Sequence, residues 1–169
     1  MTTESAAPVP ALRPPAHQVA HRAIWYWFVR ALAGWSVIVA VQVVALVLDW
    51  PLPPWKVPVL IASTVIAVTH VAVMPVGRYR VHRWELTETA VYTRTGWWTQ
   101  EWRIAPLTRV QTVDSARGPL ARLFGLTALT VTTASAAGPL GIEGLDEATA
   151  ADLAARITAA AQTSRGDAT

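Results

Sequence analysis

The residue types that carry most enzymatic chemistry are thinly spread in this chain. Its four histidines are His17, His21, His70 and His82, and its carboxylates are scattered. No G-x-S-x-G elbow and no phosphate-cradling Walker loop is present. Cysteine is absent, which removes disulfides, thiol catalysis and thiolate metal sites. Asp146, Glu147 and Asp152 open a helix-forming stretch, where a cap and a favourable dipole already explain them. The residues imply no catalytic group, no cofactor and no metal site.

The arginines point to a different chemistry. Every basic residue except Lys56 is arginine, whose planar fork suits phosphate. Arg78, Arg80 and Arg83 fall within six residues, directly after an uncharged run. Residues 78–122 also hold Arg94, Arg103, Arg109, Arg117 and Arg122 against Glu85, Glu88, Glu101 and Asp114, a net of +4. Residues 143–169 carry Glu143, Asp146, Glu147, Asp152 and Asp167 against Arg156 and Arg165, a net of −3. Anionic lipid attracts nearby basic side chains by about 1 kcal/mol each. The candidate headgroup contacts are therefore Arg78, Arg80, Arg83, Arg117 and Arg122. The plainer account is that the first three only end a helix and set topology. With no lysine-rich run, nucleic acid is not an expected partner. Arg165-Gly166-Asp167 spells an adhesion motif but is read as chance.

The elements that must hold these residues come in two kinds. Hydrophobic residues make up 53% of the 169 and charged residues 15%, and the surplus sits in 24–76. A bilayer core of ~30 Å needs about 20 apolar residues in a helix. Two spans are expected, about 24–48 and 57–76, joined by DWPLPPWK. Arginines flank both outer ends of this hairpin, which the positive-inside rule reads as two cytoplasmic termini in the inner (plasma) membrane. Trp25, Tyr26 and Trp27 suit the inner interface, and Trp50 and Trp55 the outer one. Inside the spans, Gln42 and His70 stand out. They differ in depth, and Ser36 is the expected partner of His70. An ionisable group there is a candidate functional site, and a neutral imidazole bonded to a hydroxyl is the plainer account. Ser36-x-x-x-Ala40 and Ser63-x-x-x-Ala67 could let the helices approach closely.

After Gly77 the chain alternates like β-structure. WELTETAVYTRT reads as strand, turn at Thr87-Glu88-Thr89, strand, with the first strand starting at Val81. WWTQEWRIAP reads as a third strand and LTRVQTVDS as a fourth. ARGPLARLFG breaks the pattern, with Leu120, Leu123 and Phe124 at helical spacing; they pack under the sheet or dip into the interface. LTALTVTTASA alternates again, Ala137-Gly138-Pro139 turns, and LGIEGL is a last strand. Asp146 caps a helix with Leu153, Ile157 and Ala160 on one face. Six short antiparallel strands and one covering helix make a small sandwich or open barrel.

At these residues a family resemblance emerges. Trp84-Glu85-Leu86-Thr87, Gly96, Ile104-Ala105-Pro106 and Arg109-Val110-Gln111-Thr112-Val113 resemble the membrane-flanked bacterial pleckstrin-homology (PH) domains. So do Pro119-Leu120-Ala121-Arg122-Leu123-Phe124-Gly125-Leu126 and Ile142-Glu143-Gly144-Leu145. The YdbS-like members share the layout of two spans and one domain. The resemblance implies a seven-stranded bent sheet capped by the C-terminal helix, and carries over no catalytic residue.

The expected organisation is a disordered cytoplasmic tail over 1–22, a transmembrane helical hairpin over 23–76, a cytoplasmic, mainly-β PH-like domain over 77–163, and a tail over 164–169. The expected role is a non-enzymatic binding or scaffolding subunit. Its expected partners are anionic lipid headgroups and a membrane protein, either another PH-domain protein or a like chain. The alternative is a lipid- or stress-responsive accessory of an envelope transport or defence system, using His70.

Overall fold

A computed structural model describes residues 13–48, 54–134 and 138–166. The first twelve residues of the expected tail lie outside the described residues, as do Trp50 of the loop, Ala137 of the third turn and Asp167 of the adhesion-like triplet. Two long apolar helices come first: α1 (Ala23–Val47) and α2 (Lys56–Val81). At 1.5 Å per residue, their 25 and 26 residues are each long enough to cross a ~30 Å core. They pack against each other over their length.

The second helix does not stop where the arginines begin. Pro75 lies inside it and is buried, and the helix runs on through Gly77, Arg78 and Arg80 to Val81. A proline removes one backbone N–H, yet here the helix continues past it. The first strand after the spans begins at Arg83, two residues later than expected. Only His82, in extended conformation, joins helix to strand.

Two antiparallel sheets follow. The first has the order β1-β2-β3-β4, with β1 (His17–Gln18), β2 (Arg83–Leu86), β3 (Ala90–Thr95) and β4 (Glu101–Pro106). The second has the order β5-β6-β7, with β5 (Val110–Ala116), β6 (Leu126–Thr133) and β7 (Leu140–Asp146). A 3-10 turn, Leu107–Arg109, joins the sheets, and a short helix α3 (Pro119–Leu123) bridges β5 and β6. The expected third and fourth strands both start too early. Trp97 to Gln100 form a turn behind Gly96 at φ +94°, and Leu107 to Arg109 form the 3-10 corner that follows Pro106, the last residue of β4.

The seventh strand comes from before the spans. His17 pairs with Trp84 and Gln18 with Arg83. This corrects two expectations. Residues 13–22 are not a loose tail, and the sheet does not begin at residue 77. The hairpin is inserted between the first and second strands of the domain.

The core lies between the sheets and the last helix, α4 (Glu147–Gly166). Leu126, Leu129 and Val131 from β6 and Leu140, Ile142 and Leu145 from β7 are buried there. They meet Ala150, Leu153, Ile157 and Ala161, a stripe at helical spacing. Ala161 completes it, while Ala160 is only half-buried. Asp146 caps α4 by accepting from the Thr149 backbone N–H at 3.0 Å and from its hydroxyl at 2.7 Å. Those bonds hold its carboxyl below its ordinary pKa.

Candidate functional site at the membrane junction

The chain's polar chemistry gathers where the spans enter the domain. Val19, Ala23 and Trp27, around the start of α1, belong to the domain's own core, with Trp27 only 1% exposed. The Ala20 N–H donates to the Gly144 carbonyl at 2.8 Å. Gly144 has φ +80°, and a methyl group there would sit 2.9 Å from the Ala23 Cβ. A glycine in β7 thus allows the helix to approach this closely. His17 stacks at 4.8 Å on Trp84, and Glu85 takes an ion pair from Arg13 and the Ala16 N–H at 3.0 Å.

Arg78 is the hub. Its guanidinium lies 4.8 Å over the Trp27 ring and donates to Glu143 of β7 at 2.7 Å. Its Nε lies 3.4 Å from His82 Nε2, while His82 Nδ1 lies 2.9 Å from the Arg78 carbonyl. A neutral imidazole with its proton on Nδ1 fits both: it donates to the carbonyl and accepts from Nε–H. His82 is 3% exposed, 5.0 Å from the Trp27 ring. Burial, and then the Arg78 charge, push its pKa down to about 4.

These groups border a cleft of about 290 Å³ between the sheets. Arg78, His82, Arg103, Glu101 and Glu143 line it, with Thr93 and Thr95. Its charges are already matched, since Arg103 donates to Glu101 at 2.7 Å and to the Pro139 carbonyl at 2.8 Å. Among the described residues, no three His, Asp or Glu side chains are grouped as a metal site would need.

The five arginines marked for lipid do not form one face. Arg78 turns inward to Trp27 and Glu143. Arg83 reaches the Pro15 carbonyl at 3.5 Å, and Arg117 pairs with Glu147 at 2.6 Å. Arg80 and Arg122 are exposed. The apolar trio of the α3 turn divides: Leu120 and Phe124 are half-buried, Phe124 lies 6.3 Å edge-on to Tyr26, and Leu123 is 82% exposed.

Within the spans, Trp35 Nε1 donates to His70 Nδ1 at 3.1 Å. Trp35 therefore replaces Ser36 as the partner of His70. One residue is a 100° step around a helix, and Ser36 instead lines an apolar groove of about 700 Å³ between the spans. Gln42 accepts from the Ser63 hydroxyl at 2.8 Å, a pairing the sequence reading missed. His70 also meets Trp97 of the β3–β4 turn, ring to ring at 5.7 Å. Sequence reasoning assigned Trp97 to a strand, and left Glu143 and Gly144 without a role. Only Gly144, a glycine inside a strand pattern, carried a local sign of close backbone approach.

Two apolar spans set into a split seven-stranded sheet, capped by a C-terminal helix, define a membrane protein with a PH-like domain. A family model described as Bacterial PH domain matches residues 23–161, and the chain belongs to that family. It is similar to the transmembrane protein YdbS of Bacillus subtilis (strain 168), with 28% identity over 113 residues, covering 66% of this chain and 70% of that protein. No solved structure matches it.

Proposed function

We propose that the chain is a non-enzymatic binding or scaffolding subunit, presenting its PH-like domain in one fixed orientation at the cytoplasmic face of the inner membrane. The observation that carries this is the junction. Both spans run directly into the domain, α1 through Trp27 and α2 through the single residue His82. An enzyme needs a shaped site with reactive groups; a scaffold needs a surface held in a set direction. The surface offered is the outer edge of the first sheet, where Ile104 of β4 is 51% exposed. An edge strand can pair with a partner's strand. Another PH-domain membrane protein or a second copy of this chain fits that geometry. Arg80 and Arg122 keep the role of contacts to anionic headgroups.

The test is capture of the tagged full chain from membranes in mild detergent. A membrane protein should co-purify in a fixed ratio and be lost with Ile104→Arg, with the melting temperature unchanged. Equal recovery with both chains would remove the edge from the account. Orientation is tested with Thr108→Cys, since no native cysteine interferes. An impermeant thiol reagent should label it only after cells are opened.

A second reading, the lipid- or stress-responsive accessory, is favoured by the two contacts of His70. His70 touches Trp35 of the other span and Trp97 of the domain, so a change at that depth would reach both. Full rescue of a deletion strain by His70→Leu would dismiss it.

A further inference from the structure

Trp98 is the most exposed large apolar side chain among the described residues, at 86%. It sits in the turn joining β3 to β4, and the shape of that turn is set. Gly96 has φ +94°, and a methyl group there would fall 1.9 Å from the Thr99 carbonyl oxygen. At the base, Thr95 faces Glu101, and Arg94 Nε donates to Gln100 Oε1 at 3.1 Å.

The tip lies against the second span. Trp97 Cε3 is 3.8 Å from the position a Gly77 Cβ would take, and the Trp97 ring is 5.7 Å from His70. His70 precedes Arg78 by eight residues on one unbroken helix, a step of about 12 Å at 1.5 Å per residue. The polar zone on each side of a bilayer core is roughly 5–8 Å thick. With Arg78 at the level of that zone, His70 and the ring beside it reach the top of the hydrocarbon. The same step is seen on the other span, from Trp27 under Arg78 to Trp35 on His70. Trp98 packs edge-on at 5.9 Å against Trp97, so it lies within one ring's width of this depth while touching little protein. Indoles favour that zone, with an apolar body and one N–H.

We propose that the β3–β4 tip is a membrane-inserted wedge, whose partner is the glycerol and upper acyl region of the bilayer that holds the spans. Trp97 seats the wedge on α2, and Trp98 enters lipid. The contact is with the neutral interface, so it does not depend on anionic headgroups, unlike one made by arginines. It gives the domain a third attachment and leaves the opposite end of β3 in water.

The test uses the full chain in phosphatidylcholine vesicles. Trp98→Cys carries an environment-sensitive fluorophore, and Thr89→Cys, in the exposed turn at the far end of β3, is the reference. The probe at 98 should emit at shorter wavelength than that at 89 and be quenched by lipids bearing a nitroxide high on the acyl chain. Emission matching the reference would place the tip in water and overturn the proposal. A blue-shifted probe that lipid nitroxides fail to quench would place it against protein, and overturn it equally. Thr99→Cys repeats the measurement with both indoles intact, so the loss of Trp98 does not decide the result.

Discussion

His82 joins span to sheet, and its charge state follows from where it sits. Its pKa is lowered from 6.5 to about 4, so between those values the unfolded chain binds a proton that the folded chain refuses. The stability that His82 contributes is fully present above about pH 6.5 and is lost as pH drops towards 4, by up to about 3 kcal/mol. Melting temperatures of the purified protein across pH 7 to 4 should show this slope, and His82→Gln should flatten it. Arg78 makes three contacts and Glu143 one of them. Arg78→Ala should therefore cost roughly 1–3 kcal/mol, and Glu143→Ala under about 1 kcal/mol, since a half-exposed ion pair is worth little. Equal losses would show that the ion pair alone matters. The sequence displays Arg78, Arg80 and Arg83 as one basic group. It cannot sort them, because helical rotation and a carboxylate on a distant strand decide which turns inward.

At the scale of elements, the close contact of α1 with β7 rests on Gly144. Gly144→Ala forces a side chain into positive φ and a methyl within 2.9 Å of Ala23. It should lower stability by about 1–3 kcal/mol, read as a drop in melting temperature. A neutral result would mean that α1 sits further from the sheet. The elements themselves were largely legible. The β-alternation, the turn at Thr87 to Thr89 and the cap at Asp146 are local signals, and all three appear in the structure. Missed were the last turn of α2, where Arg78, Arg80 and Arg83 after the uncharged run suggested a stop, and β1. Two residues in a stretch rich in alanine and proline show no strand period; they are extended because the edge of β2 pairs with them.

At the scale of the molecule, the hairpin interrupts the domain rather than preceding it. Chain on both sides of the spans enters one sheet and one core, so the domain cannot swivel on its anchor without unpairing β1 or withdrawing Trp27. A sequence read from end to end suggests an anchor followed by a module, since nothing local tells that residues 17 and 84 are neighbours. The most direct test of a fixed orientation is a distance between span and domain. Spin labels at Val47→Cys, exposed at the far end of α1, and at Thr108→Cys, exposed on the domain, allow it in lipid nanodiscs by electron–electron resonance. The fixed junction predicts a single narrow distance distribution. A broad distribution, as a tethered domain would give, would contradict it.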